Sequence, residues 1–334
     1  MRSYLVTGGA GFIGSNFIRH ALAESNSCRI VNVDSLSYGA VPRNLADLEG
    51  NQRYRFVKGD IAHKKLVEKL LRDADVVINF AAQTHVDRSI SDPESFLHSN
   101  VQGTFTLLEA ARRSDLVKFV HISTDEVYGT APGNLSFKEH DRFQTSSPYS
   151  ASKAASDMFV EAYHKTYGLN TITMRCTNNF GPRQFPEKFI PKTAISALLG
   201  RKISIYGDGA QVRDWIYVED FCKAIDLAIA NGQTGATYNV SSGNELSNLH
   251  IAKLVLEILG KSVDLIEFVE DRPGHDLRYS LDSSRIREQL GWRPEHNFHE
   301  ALEKTVKWYV TNETWWKPLI TGQILSPAPW KQKW

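Results

Sequence analysis

Cysteine is scarce: Cys28, Cys176 and Cys222 are the only three in 334 residues, and none stands in a CxxC or CxxH spacing. That excludes a disulfide framework and a structural zinc site, and we read all three as reduced core residues, with no metal expected. Neither sign of charge dominates. With 39 Lys and Arg against 38 Asp and Glu, the chain lacks the surplus of a general nucleic-acid binder or of a protein held on an anionic membrane. No apolar run approaches the roughly 20 residues that span a bilayer. The first six residues run directly into a glycine loop, leaving no room for a signal peptide of normal length, so a cytoplasmic location is the default expectation. Internal repeats and low-complexity segments are also missing. Apolar content is ample, at 42% of residues, enough for a large core in one or two lobes.

Residues 3–7 read as a short buried strand entering Gly8-Gly9-Ala10-Gly11-Phe12-Ile13-Gly14, followed by a helical pattern to about residue 23. In this GxxGxxG spacing the first glycine permits a tight turn, the second lets a pyrophosphate approach the backbone, and the third lets helix and strand pack closely. Three glycines alone can simply mark a turn; here a strand precedes them, a helix follows, and a second strand at 30–34 ends in Asp34. An acid there suits the hydroxyls of an adenosine ribose and repels a 2'-phosphate, which favours NAD over NADP; Arg43 is the nearest argument against.

The alternation continues with a strand at 54–57, a helix at 62–72, a strand at 75–80, a long helix at 93–113 and a strand at 117–123. This is the pattern of an α/β, Rossmann-type doubly wound parallel sheet with ligands at the carboxyl ends of its strands. Ala81 and Ala82 end one strand with side chains small enough for a cofactor to lie against the backbone. His85 beyond them is either catalytic or a polar residue holding a loop. Thr124, Asp125 and Glu126 end another strand. Neighbouring carboxylates at the end of a buried strand do not both ionise cheaply, which suits an acid paired with a base. Both can reach one substrate only if the strand stops there and the backbone turns. After a polar loop at 130–147, Tyr149 and Lys153 open a helix reaching about residue 167 and share one of its faces. A nearby ammonium and a nicotinamide cation would lower the phenol pKa toward working pH and make Tyr149 a usable base.

Taken together, Gly8, Gly11, Gly14, Asp34, Thr124, Tyr149 and Lys153 resemble the extended short-chain dehydrogenase/reductase superfamily. Ser123 to Gly129, Asn178 to Lys188, Tyr206 to Gly209, Gln211 to Trp215 and Arg272 to Asp276 are similar to motifs of its dTDP-glucose 4,6-dehydratase family, over nearly the whole chain. Related C4 epimerases usually carry small or hydroxyl residues in place of the two acids; GDP-mannose dehydratases and UDP-glucuronate decarboxylases usually keep only the second. The resemblance implies an NAD-dependent hydro-lyase acting on dTDP-glucose, with Thr124, Asp125, Glu126, Tyr149 and Lys153 catalytic. It implies a cofactor site of Gly8, Gly11, Phe12, Ile13, Gly14, Asp34, Asp60, Ile61, Ala81, Ala82, Tyr149 and Lys153, and a substrate site of His85, Asn179, Lys188, Arg213, Asn248, Arg272 and His275. It also implies a homodimer built on the helices that begin near Pro93 and Tyr149.

Residues 1–176 then read mainly as the dinucleotide-binding domain and 177–320 as a smaller α/β substrate lobe with some chain crossing back. A strand at 171–175 ends the first domain; in the lobe the pattern gives a polar, proline-rich loop at 178–186, strands at 203–206 and 237–240, and helices at 190–199, 218–230, 247–259 and 298–310. Trp315 and Trp316 read as packing of the last segment, and the tail 321–334 carries no functional signal. Gln83, Phe180 and Ser204 depart from the family's commonest pattern. Ser204 leaves room for uracil in place of thymine, so a UDP-sugar 4,6-dehydratase is the alternative, with a C4 epimerase behind it and a catalytically silent NAD-binding regulator from another class.

Overall fold

The computed structural model describes residues 2–332. Its first half alternates as β1 (Arg2–Thr7), α1 (Phe12–Glu24), β2 (Cys28–Asp34), β3 (Tyr54–Lys58), α2 (Lys64–Leu71) and β4 (Val76–Asn79). Then follow α3 (Val86–Ser91), α4 (Pro93–Phe96), α5 (Gly103–Ala111), β5 (Lys118–Thr124), α6 (Pro148–Tyr167) and β6 (Thr171–Cys176). The second half contains β7 (Asn178–Phe180), α7 (Phe189–Leu198), β8 (Ile203–Tyr206), β9 (Val212–Tyr217), α8 (Val218–Asn231), β10 (Thr237–Val240) and β11 (Glu245–Ser247). It ends with α9 (Asn248–Ile258), β12 (Ile266–Val269), α10 (Ser284–Leu290), α11 (Phe298–Thr311) and α12 (Glu313–Trp316).

Seven strands form one parallel sheet in the order β10-β6-β5-β4-β1-β2-β3. The order reverses between β1 and β4, where an open sheet of this kind leaves a crevice at the strands' carboxyl ends. Side chains alternate across it. Val120 and Ile122 of β5 join Phe17, Ile18, Phe221 and Ile225 from α1 and α8 on one face, whereas Phe119 joins Val67, Leu107 and Val160 from α2, α5 and α6 on the other. All seven residues of β5 are buried, including Lys118. Its ammonium is tolerated there because it donates to the carbonyls of Ala228, Ile229 and Gly232 at the carboxyl end of α8. Strand β10, far along the chain, pairs with β6 and completes the large sheet. The smaller sheets are β11-β9-β7 and the parallel pair β12-β8, with α7, α9 and α11 packed around Trp215 and Phe180.

The structure corrects several sequence expectations. The long helix at 93–113 is interrupted between α4 and α5 by a wide π turn over Leu97–Gln102. Asn100 in that turn brackets the Gln83 backbone, donating to its carbonyl at 3.1 Å and accepting from its amide at 2.8 Å, while its own carbonyl accepts from Ser156 Oγ at 2.6 Å. The residues after His85 form α3 rather than loop. Four short strands, β7, β9, β11 and β12, were not legible because each has only three to six residues and is set by pairing with segments distant in sequence. The segment 178–186 is therefore no simple loop; its Phe180 lies in the core. Trp315 and Trp316 do pack the last segment, through bonds to Asn44 Oδ1 and Tyr309 O. Trp334 lies outside the described residues. Among the described residues no helix is long and apolar enough to cross a membrane.

Candidate active site

Two adjoining cavities open at the carboxyl ends of the large sheet, and His85, Glu126, Asn178 and Lys188 line both. The first is walled by the glycine loop. Gly8 has φ +68°, and a Cβ there would lie 2.6 Å from the Ala81 amide nitrogen; one on Gly14 would lie 2.6 Å from Gly8 O. The cradle therefore exists only because these positions lack side chains. The 13-residue helix α1 begins at Phe12 with no side-chain cap, so its first amides and dipole end face the cavity. Asp34 is fixed by amides, accepting from Ala10 N at 2.9 Å and Leu36 N at 2.8 Å. Phe12, Ile13, Asp60, Ile61, Ala81 and Ala82 line the same space. These residues fit a dinucleotide. Arg43 does not reach it; its guanidinium is committed to the carbonyls of Thr314 and Trp315.

β5 ends at Thr124, and a 3₁₀ turn over Asp125–Tyr128 follows, so the backbone turns where two acids on one strand end require it. Thr124 Oγ1 caps the turn, accepting from Glu126 N at 3.3 Å and donating to Asp125 Oδ1 at 3.1 Å. Asp125 Oδ2 is buried without a hydrogen-bond partner. Burial, then the Glu126 charge, push the Asp125 pKa well above the ordinary carboxylate value. Glu126 is also raised by burial, but Arg272, Lys188 and Arg213 pull it back. The pair is thus split into an acid that holds its proton and a carboxylate facing cations.

Helix α6 presents Tyr149 and Lys153 to the same cavity. Pro148 stands in its first turn, and Ser147 and Ser150 form a reciprocal capping box, a feature worth about 1 kcal/mol. Lys153 Nζ donates to Ile122 O at 2.7 Å, and burial lowers its pKa to about 8. One sequence expectation is corrected here: the Tyr149 phenol is not lowered by Lys153. Burial, followed by the Glu126 charge, raises it well above the ordinary value, offset only in part by a bond to Thr124. The chain's own groups leave the phenol protonated.

The substrate-site candidates, scattered between residues 85 and 275, converge. Lys188, Arg213, Asn248, Arg272 and His275 line the second cavity with His85 and Glu126. Asn179 lies instead on the first. Arg213 covers the Tyr279 ring at 4.1 Å and donates to Asp276 O at 3.0 Å; Arg272 Nη1 meets Asp87 Oδ1 at 2.9 Å; Lys188 Nζ donates to Thr84 O at 2.6 Å. Burial lowers the His275 pKa to about 4, so the ring is neutral above that pH. His85 is buried between Tyr38 and Phe185, with neither ring nitrogen hydrogen-bonded. Sequence reasoning missed Tyr279, whose hydroxyl lies 2.8 Å from Asp276 Oδ2 and 3.4 Å from Glu126 Oε2. A lone tyrosine between Arg278 and Ser280 carries no motif. Of the departures, Phe180 is core and Ser204 lines the second cavity, donating to Glu267 Oε1 at 3.1 Å.

The family model described as GDP-mannose 4,6 dehydratase matches residues 5–305. A dTDP-glucose 4,6-dehydratase of Xanthomonas campestris pv. campestris is 46% identical over 342 residues, covering 96% of this chain and 97% of the relative. The low-salt glycan biosynthesis protein Agl12 of Haloferax volcanii is 50% identical over 309 residues, covering 92% and 99%. Among solved structures, DesIV of Streptomyces venezuelae, a dTDP-glucose 4,6-dehydratase crystallised with NAD, superposes with TM-score 0.93 at 45% identity, covering 95% of this chain and all of that one.

The raised Asp125 pKa makes a stability prediction. A carboxyl that binds its proton more tightly folded than unfolded weakens the fold as pH rises above the unfolded-state value. Asp125→Asn removes that dependence, so its Tm should exceed wild type by roughly 2–5 °C at pH 8, with the gap closing near pH 4. Thermal melts at both pH values check this; equal Tm at pH 8 would show Asp125 ionising in the fold without penalty.

Proposed function

This chain belongs to the GDP-mannose 4,6 dehydratase family, and we propose that it is a dTDP-glucose 4,6-dehydratase, forming dTDP-4-keto-6-deoxyglucose. The carrying observation is the split acid pair Asp125–Glu126 beside Tyr149 and Lys153 in one cavity. C5 of the sugar becomes acidic only when C4 is a ketone, which is why elimination of water needs a redox cofactor. Gly8 to Gly14 and Asp34 would hold NAD, which would supply that chemistry as a reversible hydride acceptor.

The chain's own residues move the protons. With the positive charge of a bound nicotinamide ring to favour its phenolate, which the chain's own groups do not, Tyr149 would accept the proton of the C4 hydroxyl; Thr124 hydrogen-bonds the C4 oxygen, and Lys153 would hold the nicotinamide ribose. Glu126 takes the C5 proton and later returns it. Asp125 gives its proton to the departing C6 hydroxyl. One turnover therefore leaves Tyr149 with a proton gained and Asp125 with one lost. Thr124, donating to Asp125 Oδ1 at 3.1 Å and lining the same cavity as Tyr149, is the group through which that proton would return. Lys188, Arg213 and Arg272 supply charge for the substrate diphosphate, with Asn179, Asn248, His85 and His275 around them. Residues 1–176 serve mainly the dinucleotide and 177–320 mainly the nucleotide sugar, with β10 crossing back. A cytoplasmic location accords with three unpaired cysteines.

A homodimer is part of the same reading. Phe105 on α5 and Met158 and Phe159 on α6 leave an apolar patch at the surface, the two phenylalanines edge to face at 5.9 Å. Two such patches related by a twofold axis would bury one another as a four-helix bundle.

Incubation with NAD and either dTDP-glucose or UDP-glucose, followed by mass spectrometry, should show loss of one water from dTDP-glucose; loss from UDP-glucose alone would transfer the reading to a UDP-sugar dehydratase. In Asp125→Asn, C4 oxidation should persist, seen as absorbance of the reduced cofactor, while water loss drops at least about 100-fold. Normal elimination by that variant would remove Asp125 from its role. Sedimentation of the wild type should report twice the chain mass, and Phe105→Glu with Met158→Glu a monomer.

A further inference from the structure

Residues 321–332, to which the sequence attaches no role, reach the second cavity at Pro329. Trp330 is buried, and its ring meets Tyr206 edge to face, with centroids 4.8 Å apart and planes at 85°. The segment is tied down from both sides: Lys192 Nζ donates to Ser326 O at 2.6 Å, Ile324 is buried against Trp316 and Tyr309, and Lys331 pairs with Glu270.

Tyr206 is held at more than its Trp330 edge. His275 packs on it with centroids 6.0 Å apart, and its hydroxyl donates to Asp87 Oδ2 at 3.0 Å. The other oxygen of Asp87 accepts from Arg272 Nη1 at 2.9 Å. A continuous chain of contacts thus leads from the tail through Tyr206 and Asp87 to one of the cations facing Glu126. Burial, helped by the Asp87 charge, keeps the Tyr206 phenol protonated, so the hydroxyl remains the donor in this chain. Tyr206, Ser204 from the same strand and Pro329 line that cavity with the cations Lys188, Lys192, Arg213 and Arg272; of these, Lys192 spends its ammonium on Ser326 O in the tail.

A nucleoside diphosphate sugar offers both an anionic centre and a flat, largely apolar base. The cations suit the first. We propose that the C-terminal segment is the base-side wall of the substrate site, with Pro329 touching the nucleoside and Trp330 positioning Tyr206, and through it Asp87 and Arg272. This deepens the reading of the site as one for a nucleotide sugar and rests on it. Trp330 touches no reacting atom, so its loss should weaken nucleotide binding and leave the chemistry intact.

The test is Trp330→Ala, with Trp330→Phe and a chain ending at Ser326 beside it, each assayed with NAD for KM and kcat and, independently of turnover, for dTDP and UDP binding by calorimetry. Expected for Trp330→Ala are a KM and a dTDP Kd raised at least about tenfold, a kcat within about twofold of wild type, and substantial recovery in Trp330→Phe. The truncated chain should match Trp330→Ala, which keeps the test open if the point variant folds poorly. Unchanged KM and Kd, or a fall in kcat and Tm with KM unmoved, would overturn the proposal and leave the tail a packing element. A wild type that binds dTDP but removes no water from its glucose ester would overturn the function proposed above, with the binding arm still deciding the tail.

Discussion

Two adjacent carboxylates buried at the end of one strand are the constraint to which the rest of the site answers. Left alone, neither would ionise readily there, and a fold gains nothing by burying both. The structure separates their fates by geometry. Asp125 faces Thr124 and has one oxygen with no partner, whereas Glu126 faces Arg272, Lys188 and Arg213. Those cations come from three distant segments, so the smaller sheets and α7 exist, in functional terms, to bring positive charge to the carboxyl end of β5. The same cations make the second cavity suitable for an anionic ligand, so one set of charges both tunes Glu126 and lines that cavity.

How much of this was legible follows from the range of the forces involved. The glycine cradle and Asp34 were readable because backbone geometry demands glycine at those positions, and a strand before and a helix after are local signals. The turn after Thr124 could be deduced, since two acids on a continuous strand would point apart. The short strands β9 and β11 could not, because their residues pair through tertiary contact and carry no periodicity of their own. Tyr279 and Asp87 were invisible for a similar reason: each acts through a partner more than 100 residues away. The tyrosine pKa was misread because spacing shows that Lys153 is near Tyr149 on the helix, and says nothing of the burial and the Glu126 charge that outweigh it.

Behind the site, Lys153 is backed by polar side chains that do not line the cavity. Asn79 Oδ1 accepts from Thr7 at 2.6 Å, so its amide nitrogen is the group turned to His121 Nδ1 at 3.2 Å. That leaves the His121 proton on Nε2, which points to Asp157 Oδ1 at 3.4 Å and cannot also accept from Lys153. Lys153 accordingly donates to Ile122 O, and His121, with its pKa lowered to about 4, stays neutral between ammonium and carboxylate. Asp157 in turn binds Arg175 Nε at 2.7 Å, whose guanidinium reaches the Tyr128 hydroxyl. Tyr149, Lys153 and Asp157 recur every four residues on one face of α6, so this row fixes that helix against β5 and β6. Breaking a buried pair of this kind costs about 3–5 kcal/mol, which is why Asp157 supports the fold and the charge on Lys153 together: desolvation pulls the ammonium pKa to about 8, and the Asp157 carboxylate opposes a further fall more strongly than any other group around it.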